Sequence, residues 1–454
     1  MSGKANLGGF MYQGKKVFVL GMARSGYEVA KLLARHDNQV FVFDAVPQDP
    51  NHVKELGDLG VKVEITDQPA RFLNDTFDLI VKNPGIKYNH PLLNLARELN
   101  IPIVNELEVA YQFMDHSAQY IGVTGSNGKT TTVNLIYQFL QAEKDDVILC
   151  GNIGTPVSHY VKDITPSTIL VLEISDHQLC DMYRFKTNVS VITNISPTHL
   201  DFHDSYERYK EIKHRIFNNH TEQDLAVLNH NNPESAQLGD DIPSRKVFFG
   251  SDADSDCYFD DQAIYYRGEE VVRLDKILLK GKHNYENICA AVAVVKNYNI
   301  SNEAIRQVLA NFKGVEHRLE FVAEYDGVKY YNDSKATNCV STNIALQSFD
   351  APTILLLGGT DRGHSFYDLK DSMTHVKAII AYGETKNRIA DFAKDLNIPC
   401  EVRDTLSEAM NAVKDLRASG DVVLLSPACA SWDQYAKFED RGDEFKQLVK
   451  TINQ

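Results

Sequence analysis

Q-Y-I-G-V-T-G-S-N-G-K-T-T-T, residues 119–132, is an apolar strand followed by a glycine-rich turn and the start of a helix. Glycines allow backbone N–H groups to approach phosphate oxygens, and the N-terminus of a helix adds a partial positive charge. After the turn, Lys129 can reach the terminal phosphates of a nucleotide and the Thr130 hydroxyl can bind Mg²⁺. The stretch predicts a phosphate-binding loop at the carboxyl end of a strand, which places the chain in the α/β class.

The glycine spacing of this loop departs from the common pattern. A strict Walker A motif, G-x-x-x-x-G-K-[ST], requires glycine at position 123, where this chain has Val123. Its glycines are instead Gly122, Gly125 and Gly128. The alternative is a glycine-rich turn that only packs, and the strand before it and the helix after it disfavour that alternative.

Strand and helix patterns alternate on both sides of the loop, as in parallel sheets covered by helices. The apolar strand segments are 16–21, 40–44, 78–82, 101–104, 168–173, 189–195, 329–333, 353–359, 378–383 and 422–427. A chain of 454 residues is too long for one hydrophobic core. We predict a Rossmann-like domain (1–112), a central P-loop ATPase-like domain (113–315) with a β-rich excursion over 221–280, and a Rossmann-like C-terminal domain (316–454).

Composition limits the possible partners. Lys plus Arg is 47 and Asp plus Glu is 62, which gives a formal charge of −15. Such a charge disfavours nucleic acid and anionic membranes. The seven cysteines are scattered without a C-x-x-C pair, as in reduced cytosolic proteins, and no apolar stretch reaches membrane-spanning length. We expect a cytoplasmic protein that binds neither nucleic acid nor membrane.

Two further glycine-containing turns follow strands. Gly21-Met22-Ala23-Arg24-Ser25-Gly26, with Asp44 ending the next strand, is similar to a dinucleotide fingerprint, but Ala23 replaces the glycine that admits the pyrophosphate. The turn suits the diphosphate of another nucleotide, with Arg24 nearby, or it is an ordinary strand-to-helix turn. In L-L-L-G-G-T-D-R-G (355–363), Asp361 and Arg362 follow two glycines, and this segment is either a turn or an anion site.

Polar groups at the ends of central strands are candidates for chemistry. Glu173 ends an apolar strand near the phosphate loop, where its carboxylate could hold Mg²⁺ or orient a water, and the alternative is a solvated strand end. His199 follows the next strand and could reach the same edge. Lys213 lies on a polar helix with Lys210 one turn earlier, and residue chemistry alone predicts two solvated lysines. Asn284 and Asn287 could recognise a base or a carboxylate, or Asn284 could cap a helix.

The ordered set of motifs resembles the Mur ligases over nearly the whole chain. The set comprises the phosphate loop, Glu173, T-H-L-D (198–201), G-K-H-N-x-x-N (281–287), H-R (317–318) and N-D-S-K-A-T-N (332–338). Members of this family join an amino acid to a carboxylate through an acyl phosphate. The resemblance implies that ATP phosphates bind at Gly125, Ser126, Asn127, Gly128, Lys129, Thr130 and Thr131, and that adenine and ribose bind at Asn284, Asn287, Arg318 and Asp333.

The same resemblance implies the metal site and the catalytic residues. Glu173 and His199, with Thr130, would hold Mg²⁺. Lys213 matches the family's lysine that takes up CO₂ as a carbamate and binds a second Mg²⁺. Carbamylation requires a neutral amine, so the site must depress the pKa of this lysine. Lys129, Glu173, His199 and Lys213 are therefore the expected catalytic residues.

Other motifs resemble the D-glutamate-adding branch of the family, which joins D-glutamate to the carboxylate of UDP-N-acetylmuramoyl-L-alanine. They are K-N-P-G-I (82–86), N-E-L-E (105–108), L-L-L-G-G-T-D-R-G (355–363) and L-L-S-P-A-C-A-S-W-D-Q-Y-A-K-F-E-D-R-G (424–442). By this resemblance, D-glutamate would lie among Lys335, Thr337, Arg362, Ser431 and Phe438. The UDP-muramoyl substrate would contact Met22, Ala23, Arg24, Asp44, Asn83, Gly85, Asn152 and Gln178. We expect a monomer that acts in peptidoglycan synthesis, and hence in cell-wall biogenesis, cell shape and cell division.

Three positions depart from the branch pattern. Residues 175–178 read S-D-H-Q where S-S-F-Q is common, Asn83 replaces serine, and Arg362 stands where many members have lysine. The alternatives are an L-alanine-adding Mur ligase, an NAD-dependent oxidoreductase built on Gly21–Gly26 and Asp44, and a P-loop switch. The oxidoreductase leaves the loop at 122–132 unexplained, and the switch leaves N-D-S-K-A-T-N unexplained.

Overall fold

The computed structural model describes residues 12–197, 203 and 205–452. Two compact units are present. The first holds the described residues up to Arg273 together with Glu286–Ile305, and the second holds Leu274–Tyr285 and the described residues from Arg306 onward. The structure confirms the predicted α/β class with three sheets, and the predicted boundaries near residues 113 and 316 stay predictions.

The first sheet is parallel and has the strand order β3-β2-β1-β4-β5. Its strands are β1 (Lys16–Leu20), β2 (Gln39–Asp44), β3 (Lys62–Ile65), β4 (Leu79–Lys82) and β5 (Ile103–Val104). The accompanying helices are Arg24–Ala34, Pro50–Asp58, Pro91–Glu98 and Glu106–Tyr111, with a 3₁₀ helix at Pro69–Phe72. Val17 and Val19 pack into one core cluster and Phe18 and Leu20 into another, because successive side chains point to opposite faces of a strand.

The second sheet has the order β14-β13-β12-β11-β10-β9-β6-β8-β7. Its strands are β6 (Gln119–Thr124), β7 (Val147–Gly151), β8 (Ile169–Glu173), β9 (Val189–Ile192), β10 (Leu225–Asn229), β11 (Arg245–Gly250), β12 (Cys257–Phe259), β13 (Ala263–Tyr266) and β14 (Glu269–Arg273). Its helices are Lys129–Gln141, Val157–Tyr160, Asp176–Leu179, Tyr206–His214 and Pro233–Gln237, with 3₁₀ helices at Val161–Asp163 and Arg215–Phe217. The predicted excursion extends this same sheet, because β10 pairs in parallel with β9 and only the β12-β13-β14 edge is antiparallel.

The third sheet lies in the second unit and has the order β15-β16-β20-β17-β18-β19. Its strands are β15 (Glu320–Tyr325), β16 (Val328–Asn332), β17 (Thr353–Gly358), β18 (Val376–Tyr382), β19 (Cys400–Val402) and β20 (Val422–Leu425). The helices of this sheet are Cys339–Leu346, Lys386–Asp395, Leu406–Leu416 and Phe438–Thr451, with 3₁₀ helices at Leu274–Lys276 and Phe366–Ser372. The helices Lys282–Lys296 and Asn302–Asn311 contain the points where the chain passes between the two units.

The strand register of the second sheet gathers polar groups at one edge. β6 lies between β8 and β9 and is parallel to both, with Val123 opposite Glu173 and Thr124 opposite Ile192. The segments that follow these strands therefore begin side by side, which is where ligands bind in parallel α/β sheets. None of the helices that the structure describes has the length and apolar character needed to span a membrane.

Candidate active site

The phosphate loop has a backbone that only glycine tolerates at two positions. Gly125 and Gly128 have φ values of +143° and +82°, outside the region that residues with a side chain prefer. A Cβ atom on Gly128 would lie 2.2 Å from Oδ1 of Asn287, and one on Gly125 would lie 2.0 Å from Oγ1 of Thr193. The backbone N–H groups of residues 126 and 127 donate to the backbone and side-chain oxygens of Asn194 at 2.8 and 3.0 Å. Hydrogen bonds to Asn194, in the segment that follows β9, thus fix the position of the loop.

Substitution at Gly128 should disrupt the loop. We expect Gly128→Ala to weaken ATP binding at least about tenfold, because the left-handed backbone is strained by about 1–3 kcal/mol and the new methyl group meets Asn287. Gly57→Ala is the matched control, since among the described residues no atom outside its own helix backbone and chain neighbours lies within 4 Å of the added Cβ. Titration calorimetry with Mg-ATP measures both variants. Equal ATP affinity in Gly128→Ala and the wild type would contradict a role for this backbone in phosphate binding.

Lys129 begins the helix Lys129–Gln141 and turns back over the loop. Its Nζ donates to the carbonyls of Gly125 at 2.7 Å and Ser126 at 3.0 Å. Thr130 and Thr131 are buried in the first turn of the same helix. The loop, the lysine and the two hydroxyls therefore lie together at the start of this helix, and phosphate binding there stays a prediction.

Glu173 is buried, so the solvated alternative is wrong. One oxygen, Oε1, accepts a hydrogen bond from Nδ2 of Asn152 at 2.8 Å. The other, Oε2, is buried and has no hydrogen-bond partner among the described residues. An unpartnered buried carboxylate oxygen is costly unless a cation binds it, so the donor set fits Mg²⁺. Asn152 therefore hydrogen-bonds to the Glu173 carboxylate. Its predicted contact with the substrate stays a prediction.

Lys213 is fully buried, and the interpretation as a solvated surface lysine, drawn from residue chemistry alone, is wrong. Its Nζ donates to Oγ1 of Thr124 at 3.0 Å and to the carbonyl of Gly125 at 3.1 Å. Burial, followed by the positive charge of Lys129, lowers the pKa of Lys213 to about 7, although Asp176 acts in the opposite direction. A large fraction of this amine is therefore neutral near pH 7, as carbamylation requires. The neighbour Lys210 instead forms ion pairs with Glu207 and Glu234.

The departure S-D-H-Q at residues 175–178 places the carboxylate of Asp176 between Lys213 and His203, which the sequence did not reveal. Oδ1 of Asp176 lies 3.6 Å from Nζ of Lys213, and Oδ2 lies 2.6 Å from Nε2 of His203. Gln178 closes a capping box with Ser175, since its Oε1 accepts from the Ser175 backbone N–H at 2.9 Å. This variant sequence thus adds a carboxylate beside the buried lysine. The predicted ligand His199 lies outside the described residues.

The first sheet carries a pocket of about 360 Å³ at its switch point, where the strand order reverses between the neighbouring strands β1 and β4. Its lining residues include three of the predicted substrate residues, Ala23, Asp44 and Asn83, together with Leu20, Gly21, Phe43, Ala45, Thr66, Asp67, Pro69, Ile86 and His90. Contact of these residues with substrate stays a prediction. The Asp44 carboxylate accepts from the backbone N–H groups of Met22 at 2.7 Å and Val46 at 3.0 Å, which fixes the strand-to-helix turn.

Three predicted substrate residues of the first domain do not line this pocket, and neither do Asn152 and Gln178 of the central domain. The Met22 side chain is buried in the core. Arg24 donates to the carbonyl of Gly154 at 2.9 Å, on the central domain. The N–H of Gly85 donates to Oδ1 of Asn83 at 3.3 Å, so Gly85 shapes the loop that carries Asn83.

In the second unit, Asp333 is buried at the end of β16. Its carboxylate accepts from the Leu319 backbone N–H at 3.1 Å and from the Ser426 hydroxyl at 2.7 Å, and burial raises its pKa to about 7. Arg318 is half-buried beside Leu319. Asn284 lies inside the helix Lys282–Lys296 and donates to the carbonyl of Lys280 at 2.8 Å, so the N-cap alternative is wrong.

The residues predicted around the amino acid lie on neighbouring segments of the second unit. Lys335 and Thr337 are half-buried after β16, and the Ser431 hydroxyl is buried without a hydrogen-bond partner among the described residues. The exposed Arg362 guanidinium lies 5.7 Å from the ring of Trp432. Phe438 begins the last helix.

The sequence did not single out Arg441, which is fully buried in the second unit. Its guanidinium donates to the hydroxyl and carbonyl of Ser334 at 3.0 and 2.8 Å, and to the carbonyl of Cys429 at 3.1 Å. It thereby joins the N-D-S-K segment to the S-P-A-C-A-S segment. An arginine on a helix rich in charged residues gives no local signal of burial.

Family models match three successive parts of the chain. They are described as Mur ligase MurD-like, N-terminal domain (residues 15–105), Mur ligase middle domain (123–295) and Mur ligase, glutamate ligase domain (317–429). The chain belongs to the Mur ligase family, as its motifs predicted. The matches include both loops on which an oxidoreductase or a switch would rest, so neither alternative is retained.

Curated relatives with a named activity are similar to this chain over nearly its whole length. UDP-N-acetylmuramoylalanine--D-glutamate ligase of Geobacillus kaustophilus is 44% identical over 97% of this chain and 98% of its own. The protein of that name from Bacillus pumilus is 40% identical over 97% and 99%. Among solved structures, UDP-N-acetylmuramate-alanine ligase MurC from Thermotoga maritima has a TM-score of 0.61 at 18% identity, covering 96% of this chain and 99% of that one. This last similarity concerns the fold alone.

Proposed function

We propose that this chain is an ATP-dependent ligase that joins D-glutamate to UDP-N-acetylmuramoyl-L-alanine in peptidoglycan precursor synthesis. One observation carries the reaction type: Glu173, with an unpartnered carboxylate oxygen, and Lys213, with a depressed pKa, flank a phosphate loop. The substrates follow from relatives named for this reaction, which are 40–44% identical over 97% of the chain. The proposal includes a cytoplasmic location, a monomeric state and a role in cell shape and division.

The reaction has two balanced steps. The L-alanyl carboxylate attacks the γ-phosphorus of ATP, the bond to the β–γ bridging oxygen breaks, and ADP leaves. The amino group of D-glutamate then attacks the acyl phosphate, so that an amide forms and phosphate and a proton are released. A carboxylate is inert to amines, and ATP supplies the leaving group.

The residues of this chain bind and orient the reactants. Lys129 and the N-terminus of its helix stabilise negative charge that develops on the phosphates. Thr130, Glu173, His199 and the carbamate of Lys213 would hold two Mg²⁺ ions, which supply charge neutralisation when bound. The neutral Lys213 amine forms the carbamate by adding CO₂ with loss of a proton.

Residue roles in the second unit form a separate part of the proposal. Asn284, Arg318 and Asp333 are assigned to ATP, as is Asn287 of the first unit. Those assigned to D-glutamate are Lys335, Thr337, Arg362, Ser431 and Phe438. The unpartnered Ser431 hydroxyl and the exposed Arg362 guanidinium support this assignment, because a ligand carboxylate would satisfy both.

The test is phosphate release from Mg-ATP in the presence of UDP-N-acetylmuramoyl-L-alanine, with D-glutamate, L-glutamate, L-alanine or no amino acid. We expect release only with D-glutamate. Release with L-alanine and the UDP-sugar that lacks alanine would identify the L-alanine-adding alternative. Hydrolysis that is indifferent to both substrates would contradict ligation.

A further inference from the structure

Lys82 is a buried lysine to which the proposed reaction gives no role. It is the last residue of β4, and its side chain is 0% exposed. The side chain bends beneath the loop that follows, where Nζ lies 3.3 Å from the carbonyl oxygen of Pro84 and 3.1 Å from that of Ile86. The carbonyl of Asn83 lies at 3.5 Å. The loop thus wraps its carbonyl oxygens around one ammonium group.

A carboxylate from another part of the chain completes this arrangement. Oδ2 of Asp181, which is 2% exposed, lies 3.1 Å from Nζ of Lys82. Oδ1 of Asp181 accepts a hydrogen bond from the Tyr88 hydroxyl at 3.1 Å, and the same hydroxyl lies 3.1 Å from the carbonyl of Cys180. Lys82 belongs to the first sheet and Asp181 follows the helix Asp176–Leu179 of the central domain. Both lie in the same compact unit.

Both ends of this ion pair adjoin candidate ligand-binding positions. Asn83 and Ile86, on the loop, form part of the wall of the 360 Å³ pocket. At the other end, the helix that precedes Asp181 carries Asp176, whose carboxylate lies 3.6 Å from Lys213. The ammonium has three protons for the three loop carbonyls, and the Asp181 carboxylate lies within ion-pair distance of it, so the position of the ammonium determines where the loop carbonyls can lie.

We propose that Lys82 is a positioning residue for the nucleotide-sugar pocket: its ammonium holds the loop Asn83–Ile86 in place, and Asp181 holds the ammonium. The inference rests on the proposed function for the identity of the ligand. A rigid wall binds a ligand without first losing loop entropy. Lys82 and Asp181 therefore affect the nucleotide-sugar substrate and leave ATP binding unchanged.

The experiment distinguishes a role of Lys82 in positioning the loop from a role that is limited to neutralising the buried charge of Asp181. Lys82→Met leaves Asp181 buried without its ion-pair partner, which lowers the melting temperature. The double variant Lys82→Met/Asp181→Asn has no buried charge at these two positions, so its melting temperature recovers toward that of the wild type. The loop still lacks its ammonium. We expect Kd and KM for UDP-N-acetylmuramoyl-L-alanine to be raised at least about tenfold in both variants, with KM for ATP within about twofold of the wild type.

Lys186→Met is the matched control, since Lys186 forms an ion pair of 2.9 Å with the buried Asp224 in the central domain. Loss of this ion pair in Lys186→Met should lower the melting temperature and leave the affinity for the nucleotide-sugar unchanged. Wild-type affinity in the double variant, or an equal rise in KM for ATP, would overturn the positioning role. A folded wild-type protein that binds no UDP-N-acetylmuramoyl-L-alanine in calorimetry would instead contradict the proposed function, and with it this inference.

Discussion

Lys213→Ala should lower kcat for ligation roughly a thousandfold or more, a loss typical for groups that stabilise charge in a transition state. The Lys213 side chain is fully buried and contacts Thr124 and Gly125 at the start of the phosphate loop. Phosphate release under saturating substrates measures the loss. Lys210→Ala, on the same helix but in solvent-facing ion pairs, is the control and should change kcat by less than about threefold.

The fold should survive this substitution. Because the folded-state pKa of Lys213 is lowered to about 7, its protonated form favours the unfolded chain. That penalty grows as the pH falls from the ordinary lysine pKa of about 10.4 to 7 and is constant below it. Removing the amine removes the penalty, while His203 still contacts Asp176. Circular dichroism should therefore report a folded variant, and a variant that keeps more than about a tenth of wild-type kcat would contradict the role of Lys213.

The phosphate loop and the sheets were predictable because their signals are local. Strand β6, the glycines and Lys129 occupy one continuous stretch, and Glu173 could be placed because it ends an apolar strand. The β-rich excursion was recognised as strands, but its membership of the central sheet depends on parallel pairing of β9, β10 and β11 across the chain. Such pairing leaves no local sequence signature.

The buried charges were not predictable from residue patterns for the same reason. The helix Y-E-R-Y-K-E-I-K-H (206–214) is mostly polar, so only contacts with residues almost 90 positions away reveal that Lys213 is buried. The partner of Lys82 lies on another domain, and Arg441 is buried by segments near residues 334 and 429. The charge of each of these buried groups is stabilised by partners that are distant in the sequence. A pattern of apolar and polar residues along one helix or strand does not reveal such partners.

Lys129→Met should also lower kcat roughly a thousandfold, and it should change the chemistry of Lys213 as well. The first effect follows from loss of the charge that stabilises the phosphates. The second follows because the positive charge of Lys129, after burial, lowers the pKa of Lys213. Without that charge the pKa of Lys213 rises, and less of its amine is neutral at pH 7. Carbamate formation should therefore require a higher pH in Lys129→Met than in the wild type.

This second effect is measured with ¹³C-labelled bicarbonate, by following the carbamate signal of the protein as a function of pH, with Lys213→Ala as the blank. Lys129→Arg is the matched control, because it keeps the charge but exchanges a compact ammonium for a planar fork. It should restore the midpoint of carbamate formation without restoring full kcat. An unchanged midpoint in Lys129→Met would mean that the charge of Lys129 does not contribute to the pKa of Lys213. A raised midpoint would mean that one lysine both binds phosphate and keeps its neighbour neutral enough to take up CO₂.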